Sequence, residues 1–465
     1  MALICAALSA ALSPACARAQ QLRPDQQRFR ALYQQMIETD TSITTGSCTE
    51  LSDKIEAQAR QAGFGSSEIT RYGVPDHPKE GGIVIILPGT SKTLKPLLLM
   101  GHIDVVAAKR EDWTRDPYKL IEEDGYFYGR GTTDMKAMDA IWLDAMIRFK
   151  EQGYKPKRTI KVAFTCGEET SWAFNGNAWL TKNRPDLVDA AFALNEGGIA
   201  HTDASGKLGI ATIQVGEKTV ENYQLETFNA GGHSSVPVRD NAIYQLSEAL
   251  LKIRDYEFPI QFNDVTRTYF AKAGAIQGGE VGQAMVAIAK DPQDRAAAAI
   301  VDRDRSLHAM LRTTCVATLQ EGGHANNALP QHAKATVNCR VLPGSDGAQV
   351  LATLTQVIGD SAVKITRDPP KGPTAKQPPL DPAVIAPIVK VMAKYYPGVP
   401  VLPSMLTAGT DDIFLEAIGI PCYGVPGIIT DADLNHIHGL NEKMSVKALY
   451  TGRDLLTDLI KAYAG

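Results

Sequence analysis

The sequence predicts an α/β protein, with a three-layer domain on a mostly parallel sheet that is interrupted by an α+β sandwich domain. Three observations carry this reading. Continuous apolar runs alternate with helical stretches from 81 to 195, and after 220 the pattern changes to period-two alternation. A stretch at 368–382 then holds six prolines in fifteen residues, the mark of a linker. The 465 residues exceed one ordinary core and suit two such bodies.

The elements follow in order. Residues 24–62 carry helical spacing through Phe29, Leu32, Tyr33 and Met36, then Leu51, Ile55 and Ala59. GGIVIILPG (81–89) and KPLLLMGHIDVV (95–106) read as buried strands bounded by Gly and Pro. A helix at 136–151, a strand TIKVAFTC (159–166), a helix at 173–183 and a strand AAFALN (190–195) continue the alternation. VENYQLETFNA (220–230), LRTTCVATLQ (311–320) and AKATVNCRVL (333–342) alternate as half-buried strands do, with a helix at 240–254. Beyond the prolines come a helix at 383–395, a short helix opening near Thr410, a strand PCYGVPG (421–427) and a terminal helix at 445–463. The expected division is one domain from 24–214 and 371–465, with 215–370 inserted.

Apolar residues make up 44% and charged residues 22%, which excludes disorder, collagen and coiled coil as the main state. Lys and Arg number 48 against 52 Asp and Glu, and no block of like charge stands out, so no nucleic acid or anionic membrane is expected as partner. Residues 2–15 are apolar and are followed by the small-x-small site Ala17-Arg18-Ala19, although no Lys or Arg precedes the run. This predicts a leader at 1–19, cleaved after Ala19, and a secreted protein, periplasmic or extracellular. No later run of about 18 apolar residues predicts a membrane span. Five cysteines then remain, without zinc-ribbon or CxxC spacing. Cys315 and Cys339 flank a turn and are placed to pair; buried thiols are the equal alternative.

The chemistry collects where strands end. His102 and Asp104 are two apart on one strand face, so the carboxylate can hold the ring of a metal-binding imidazole from behind. Alone, such a pair arises often by chance. Asp134 sits in a Gly-rich turn before a helix, Glu168 and Glu169 follow an apolar strand, Glu196 ends the next strand, and NHIHGLNE supplies His438. Strand carboxyl ends are where open α/β sheets bind ligands, and surface decoration does not explain the whole set. His436, two before His438, is a competing ligand.

The segments MGHIDVV, YGRGTTDMKA, GEET, NEGG, GGHSS, NALP and HGLNE resemble the zinc metallopeptidases that include carboxypeptidase S, glutamate carboxypeptidase and aminoacylase. The resemblance runs from about residue 30 to the end. It implies two Zn²⁺ per chain, one held by His102 and Glu196, the other by Glu169 and His438, with Asp134 bridging. It implies Glu168 as general base and Asp104 as the group that orients His102. Three ligand carboxylates and a bridging hydroxide would then neutralise two divalent cations. In the inserted lid, His233 is implied as a donor to the oxyanion, often across a dimer interface. Asn327 and Arg340 are implied as substrate contacts.

Two departures qualify this. The span from His233 to Asn327 is longer than in the glutamate carboxypeptidase type and resembles the larger lids of the carboxypeptidase S type, which leaves His233 open to acting in cis or in trans. Arg367 stands near, but not in register with, the arginine expected to hold the substrate carboxylate; Gly409 and Thr410, at a helix start, offer free N–H groups instead. His324 and His332 read as loop residues. The expectation is a secreted di-zinc metallopeptidase that cleaves small peptides as a carboxypeptidase, with a homodimer through the lid as the implied assembly. An aminoacylase-like hydrolase of N-acyl amino acids is the alternative. A non-catalytic binding protein on the same fold would be expected to lack Glu168 or a ligand, and none is missing.

Overall fold

The computed structural model describes residues 22–170 and 174–465; the leader expected at 1–19 lies outside them. The larger body is an eight-stranded sheet. Its order across the sheet is Ile69–Val74, His77–Leu87, Ile160–Thr165, Leu97–His102, Phe192–Asn195, Cys422–Gly424, Ala211–Glu217 and Val401–Leu406. The strand Leu97–His102 runs parallel to both neighbours, Ile160–Thr165 and Phe192–Asn195, and the latter runs parallel to Cys422–Gly424. Successive side chains on these strands enter different cores, as a pleated strand requires. Ile83, Ile85, Leu97, Leu99, Val162 and Phe164 face one core; Val84, Leu98, Met100 and Ala163 face the other. Helices cover both faces, which makes the three layers.

The helix Lys136–Glu151 is buried on nearly every side, including Trp142 and Phe149, although Lys136, Asp139 and Asp144 are among the buried residues. Trp142 Nε1 donates to the Met100 carbonyl at 3.0 Å, tying this helix to the strand that ends in His102. A disulfide joins Cys48, the first residue of the helix Cys48–Gln61, to Cys166 across 118 residues of chain. Closing a loop of that length is worth on the order of 4 to 5 kcal/mol in the chain-entropy description.

The smaller body is a four-stranded antiparallel sheet ordered Thr314–Gly322, His332–Val341, Thr219–Phe228, Val363–Arg367. The helices Ala242–Asp255 and Gly347–Ile358 cover one face, around Tyr223, Leu225, Leu246, Val337 and Leu354. Cys315 and Cys339 are directly opposite in register and are bonded; Cys422 is free and buried, which accounts for the odd cysteine.

Within the 215–370 span, four helices do not join the smaller core. Asp264–Gln277, Gly279–Lys290, Arg295–Val301 and Arg305–Leu311 place Phe270, Met285, Ile288, Val301 and Leu311 in the larger core, with the first of them against the strand Val401–Leu406. The added length between His233 and Asn327 therefore thickens the larger body. The chain passes between the bodies at Lys218, before Asp264, after Leu311 and through 368–381. Lys218 Nζ donates to the Arg312 carbonyl at 2.5 Å, and Asn263 Nδ2 to Gln377 Oε1 at 2.7 Å, so neighbouring crossings are tied together.

Candidate metal centre

Three adjacent parallel strands end side by side at the site, and strand neighbours lie about 4.8 Å apart. His102 is the last residue of the central one, Glu168 and Glu169 follow Ile160–Thr165, and Glu196 follows Phe192–Asn195. Asp134 arrives from the turn before the helix Lys136–Glu151, and His438 from the loop after Cys422–Gly424. One carboxylate spans both imidazoles: His102 Nε2 lies 3.2 Å from Asp134 Oδ1, and His438 Nε2 lies 3.0 Å from Asp134 Oδ2. Glu196 Oε1 is 3.6 Å from His102 Nε2, and Glu169 Oε1 is 2.9 Å from His438 Nε2. Donor atoms of His102, Asp134 and Glu169 fall within 4.8 Å of one another, as do those of His102, Glu168 and Glu196. His436 turns away, to Asp433 and the Leu440 carbonyl.

Asp104 supports the site differently from the sequence expectation. The ring Nδ1 of His102 is 3.1 Å from the Asp104 backbone oxygen and 3.7 Å from its carboxylate. That carboxylate accepts instead from the backbone N–H of Glu168 at 3.3 Å and of Glu169 at 3.0 Å. Asp104 thus orients the histidine through its main chain and the paired glutamates through its side chain.

Sequence reasoning missed Glu442. It is fully buried and accepts from Arg130 Nη1 at 2.7 Å and from the backbone N–H groups of Gly131, Thr133 and Asp134 at 3.1, 2.8 and 3.1 Å. Arg130 also donates to the carbonyls of His438 and Gly439. This pair locks the turn carrying Asp134 to the loop carrying His438. Both residues stand in quoted motifs, but an acid in a Gly-containing loop looks like any solvated acid until its buried arginine is known.

Electrostatics favours cations here. Burial opposes a charged His102, yet Glu196 and Asp134 overcome it and raise its pKa well above the usual range. Hydrogen bonds to Asp134 and Glu169 raise His438 to about 10. Burial, with Glu196, Asp411 and Glu169 nearby, pushes Glu168 well up, against the pull of His102. Without metal, the surplus of carboxylates draws protons onto both imidazoles; divalent cations at the same atoms would displace those protons. The donor set of two imidazoles and several carboxylates, with Asp134 reaching both halves, fits two zinc-like ions.

A cavity of about 640 Å³ opens on the centre, lined by Asp134, Glu168, Glu169, Glu196 and His438 and walled by apolar side chains that include Met138, Ile199, Leu406 and Ile428. A second, of about 270 Å³, lies at the junction of the two bodies. Glu168, Arg340, Gly409 and Thr410 line both. Burial lowers the pKa of Arg340, with Glu217 opposing; its guanidinium has no ion-pair partner among the described residues. The helix expected at Thr410 begins at Asp412 and is only six residues long. The Thr410 hydroxyl donates to Glu217 at 2.7 Å and accepts from the Asp412 N–H at 3.1 Å, so part of the expected free N–H set is already used. Arg367 is bonded to Glu221 and does not line either cavity.

His233 and Asn327 are not brought to the site of their own chain. They lie at a two-stranded ladder between segments far apart in the chain, with exposed Gly232–His233 paired to half-buried Ala328–Leu329 and the Ser234 N–H donating to the Asn327 carbonyl at 3.0 Å. Neither lines the cavities. The side chain of Ser235 bonds His233 Nδ1 at 2.7 Å.

A sheet whose strand ends and a neighbouring loop gather imidazoles and carboxylates around a cleft has the layout of a metallohydrolase. The chain belongs to peptidase family M20/M25/M40, whose model matches residues 98–462. It is thus an enzyme of a metal-dependent peptidase and amidohydrolase family. It is 30% identical over 383 residues to the human N-fatty-acyl-amino acid synthase/hydrolase PM20D1, covering 81% of this chain and 75% of that protein. Mouse aminoacylase-1 is 26% identical over 88% of this chain and 89% of its own length. In structure, an M20 family metallo-carboxypeptidase from Sulfolobus solfataricus superposes with a TM-score of 0.71 over 95% of this chain and all of that one, at 17% identity.

Proposed function

We propose that this enzyme binds two zinc ions and hydrolyses the amide bond that precedes a free carboxylate, releasing a C-terminal amino acid as a carboxypeptidase does. The observation that carries this is the single Asp134 carboxylate reaching His102 on one side and His438 on the other. His102 and Glu196 would hold one ion, Glu169 and His438 the other, with Asp134 shared. The ions supply Lewis acidity toward the amide carbonyl and toward water. Glu168, raised in pKa, takes the proton of the attacking water and delivers it to the leaving amine. Arg340, at the junction of both cavities, receives the substrate carboxylate.

The apolar wall of the larger cavity favours a second reading, in which the N-terminal portion is a long acyl chain rather than a residue. The human relative, named for N-fatty-acyl amino acids, supports it. A hydrolysis screen of zinc-loaded enzyme decides between them, using dipeptides, N-acyl amino acids of graded chain length and their C-amidated forms. Peptide cleavage independent of acyl length supports the carboxypeptidase, and rates rising with chain length support the acylase. Equal cleavage of amidated substrates removes both.

His233 is proposed to serve the site of a second copy, through a dimer of the smaller bodies. Its exposure supports this, as does the exposed edge strand Thr314–Gly322 with Val316 and Leu319 outward. Residues 1–19 are proposed as a cleaved leader and the mature enzyme as secreted, a setting in which two disulfides persist. A mature N-terminus other than Gln20 would refute the cleavage site.

A further inference from the structure

We infer that the Cys48–Cys166 disulfide is a positioning device for the reactive turn, holding Asp104 and through it Glu168 and Glu169 in working geometry. The inference rests on the roles proposed for those two glutamates. Cys166 immediately follows the strand Ile160–Thr165 and stands two residues before Glu168. Between them Gly167 has φ +98°, and a Cβ there would fall 1.7 Å from the Phe174 carbonyl oxygen, so the position takes only glycine. The Cys166 carbonyl accepts from the Gly176 N–H at 2.7 Å, and that of Gly167 from Asn175 Nδ2 at 3.3 Å.

The other side of this turn rests on Asp104, whose two carboxylate oxygens take the N–H groups of Glu168 and Glu169. An Asp104 carboxylate oxygen also lies within 4.8 Å of both cystine sulfurs. Asp104 is therefore held between the disulfide and the turn it orders, with all three residues buried. Cys48 anchors the bond to the helix Cys48–Gln61, which packs on the strand His77–Leu87. Opening the bond would leave the space behind Asp104 without its cystine wall and untie the strand end from that helix. Displacement of Asp104 would pass to the base Glu168, to the ligand Glu169 and, through its carbonyl, to His102. Cys315–Cys339 makes the contrast, since it joins residues already opposite in a sheet and lies in the other body.

The test compares wild type with Cys48→Ser/Cys166→Ser, with Cys48→Ala/Cys166→Val to keep the site filled, and with Cys315→Ser/Cys339→Ser. Each protein is studied well below its own melting temperature. Both variants of the first pair are expected to lose about 10- to 100-fold in kcat, with KM nearly unchanged, and to release zinc faster to a chelator, as when supporting groups of a metal site are removed. In metal-free protein, amide exchange should accelerate at Glu168 and Glu169 and not in the smaller body. The Cys315/Cys339 variant should match wild type in all these respects. The inference is overturned if the first-pair variants lose only melting temperature, or if neither folds, since the bond would then be general support. A wild type that holds no zinc would sink the functional reading instead, while exchange in the metal-free protein still decides the positioning claim.

Discussion

The turn that carries Asp134 and the two-stranded ladder that carries His233 are built in opposite ways. Asp134 is fixed from behind by Glu442, which is itself paired with buried Arg130, and from the front by two imidazoles. His233 sits on a two-residue ladder exposed to solvent, with Ser235 as its local partner. The difference matches the role proposed for each. Bringing several carboxylates together costs repulsion and desolvation, so their geometry must be imposed by many bonds within one chain. A donor that meets only the developing oxyanion needs no such cradle and can be presented on an outer surface.

Four experiments sharpen or break this contrast, and the largest effect is expected at Asp134. Asp134→Ala should lose both of about two zinc ions per chain and reduce turnover to background. Elemental analysis checks it, and retention of one tightly held ion would show that Asp134 does not bridge. Glu168→Gln should keep both ions and lose about 10²- to 10⁴-fold in kcat, because an amide cannot accept the water proton. Near-normal turnover in a zinc-replete variant would move the base elsewhere.

His233→Ala should lower kcat about 10²- to 10³-fold with unchanged zinc content, since the hydrogen bond proposed for it would exist only in the transition state. Mixing it with Glu168→Gln should restore part of the activity through hybrid dimers. No recovery despite proven subunit exchange would bring His233 back to its own chain and dissolve the contrast. Glu442→Gln should cost the least, about 10- to 100-fold in zinc affinity, since it touches no ion and acts by holding the turn. Isothermal titration with zinc would detect this, and an unchanged affinity would mean that Arg130 and the two imidazoles hold the turn unaided.

Much of this architecture was legible because strands and ligands announce themselves locally. Apolar runs ending near His102, Glu168 and Glu196 located three strand ends, and their parallel order then brought these side chains together. What was illegible depended on partners far along the chain. The helices from Asp264 to Leu311 show an apolar face, but nothing local says that it meets Val401–Leu406 rather than the smaller body. Glu442 needed Arg130 opposite it, and Cys48 and Cys166, 118 residues apart, carry no spacing that pairs them. The spacing of His102 and Asp104 points to the right pair, but it is the Asp104 carbonyl rather than its carboxylate that meets the ring, a choice no spacing encodes.

The position of Cys422–Gly424 between Phe192–Asn195 and Ala211–Glu217 has a consequence for the order of biosynthesis. The gap between those two strands is filled by a segment the ribosome makes only after the whole smaller body, so two strand edges of the nascent chain must wait unpaired. Such edges invite wrong pairing, and sheets closed by distant segments form slowly. The same delay has a protective side. His438 and Glu442 come still later than the closing strand, so the cradle around Asp134 cannot assemble while the chain is unfinished. Hydrolytic competence therefore arrives only after the final piece of the sheet.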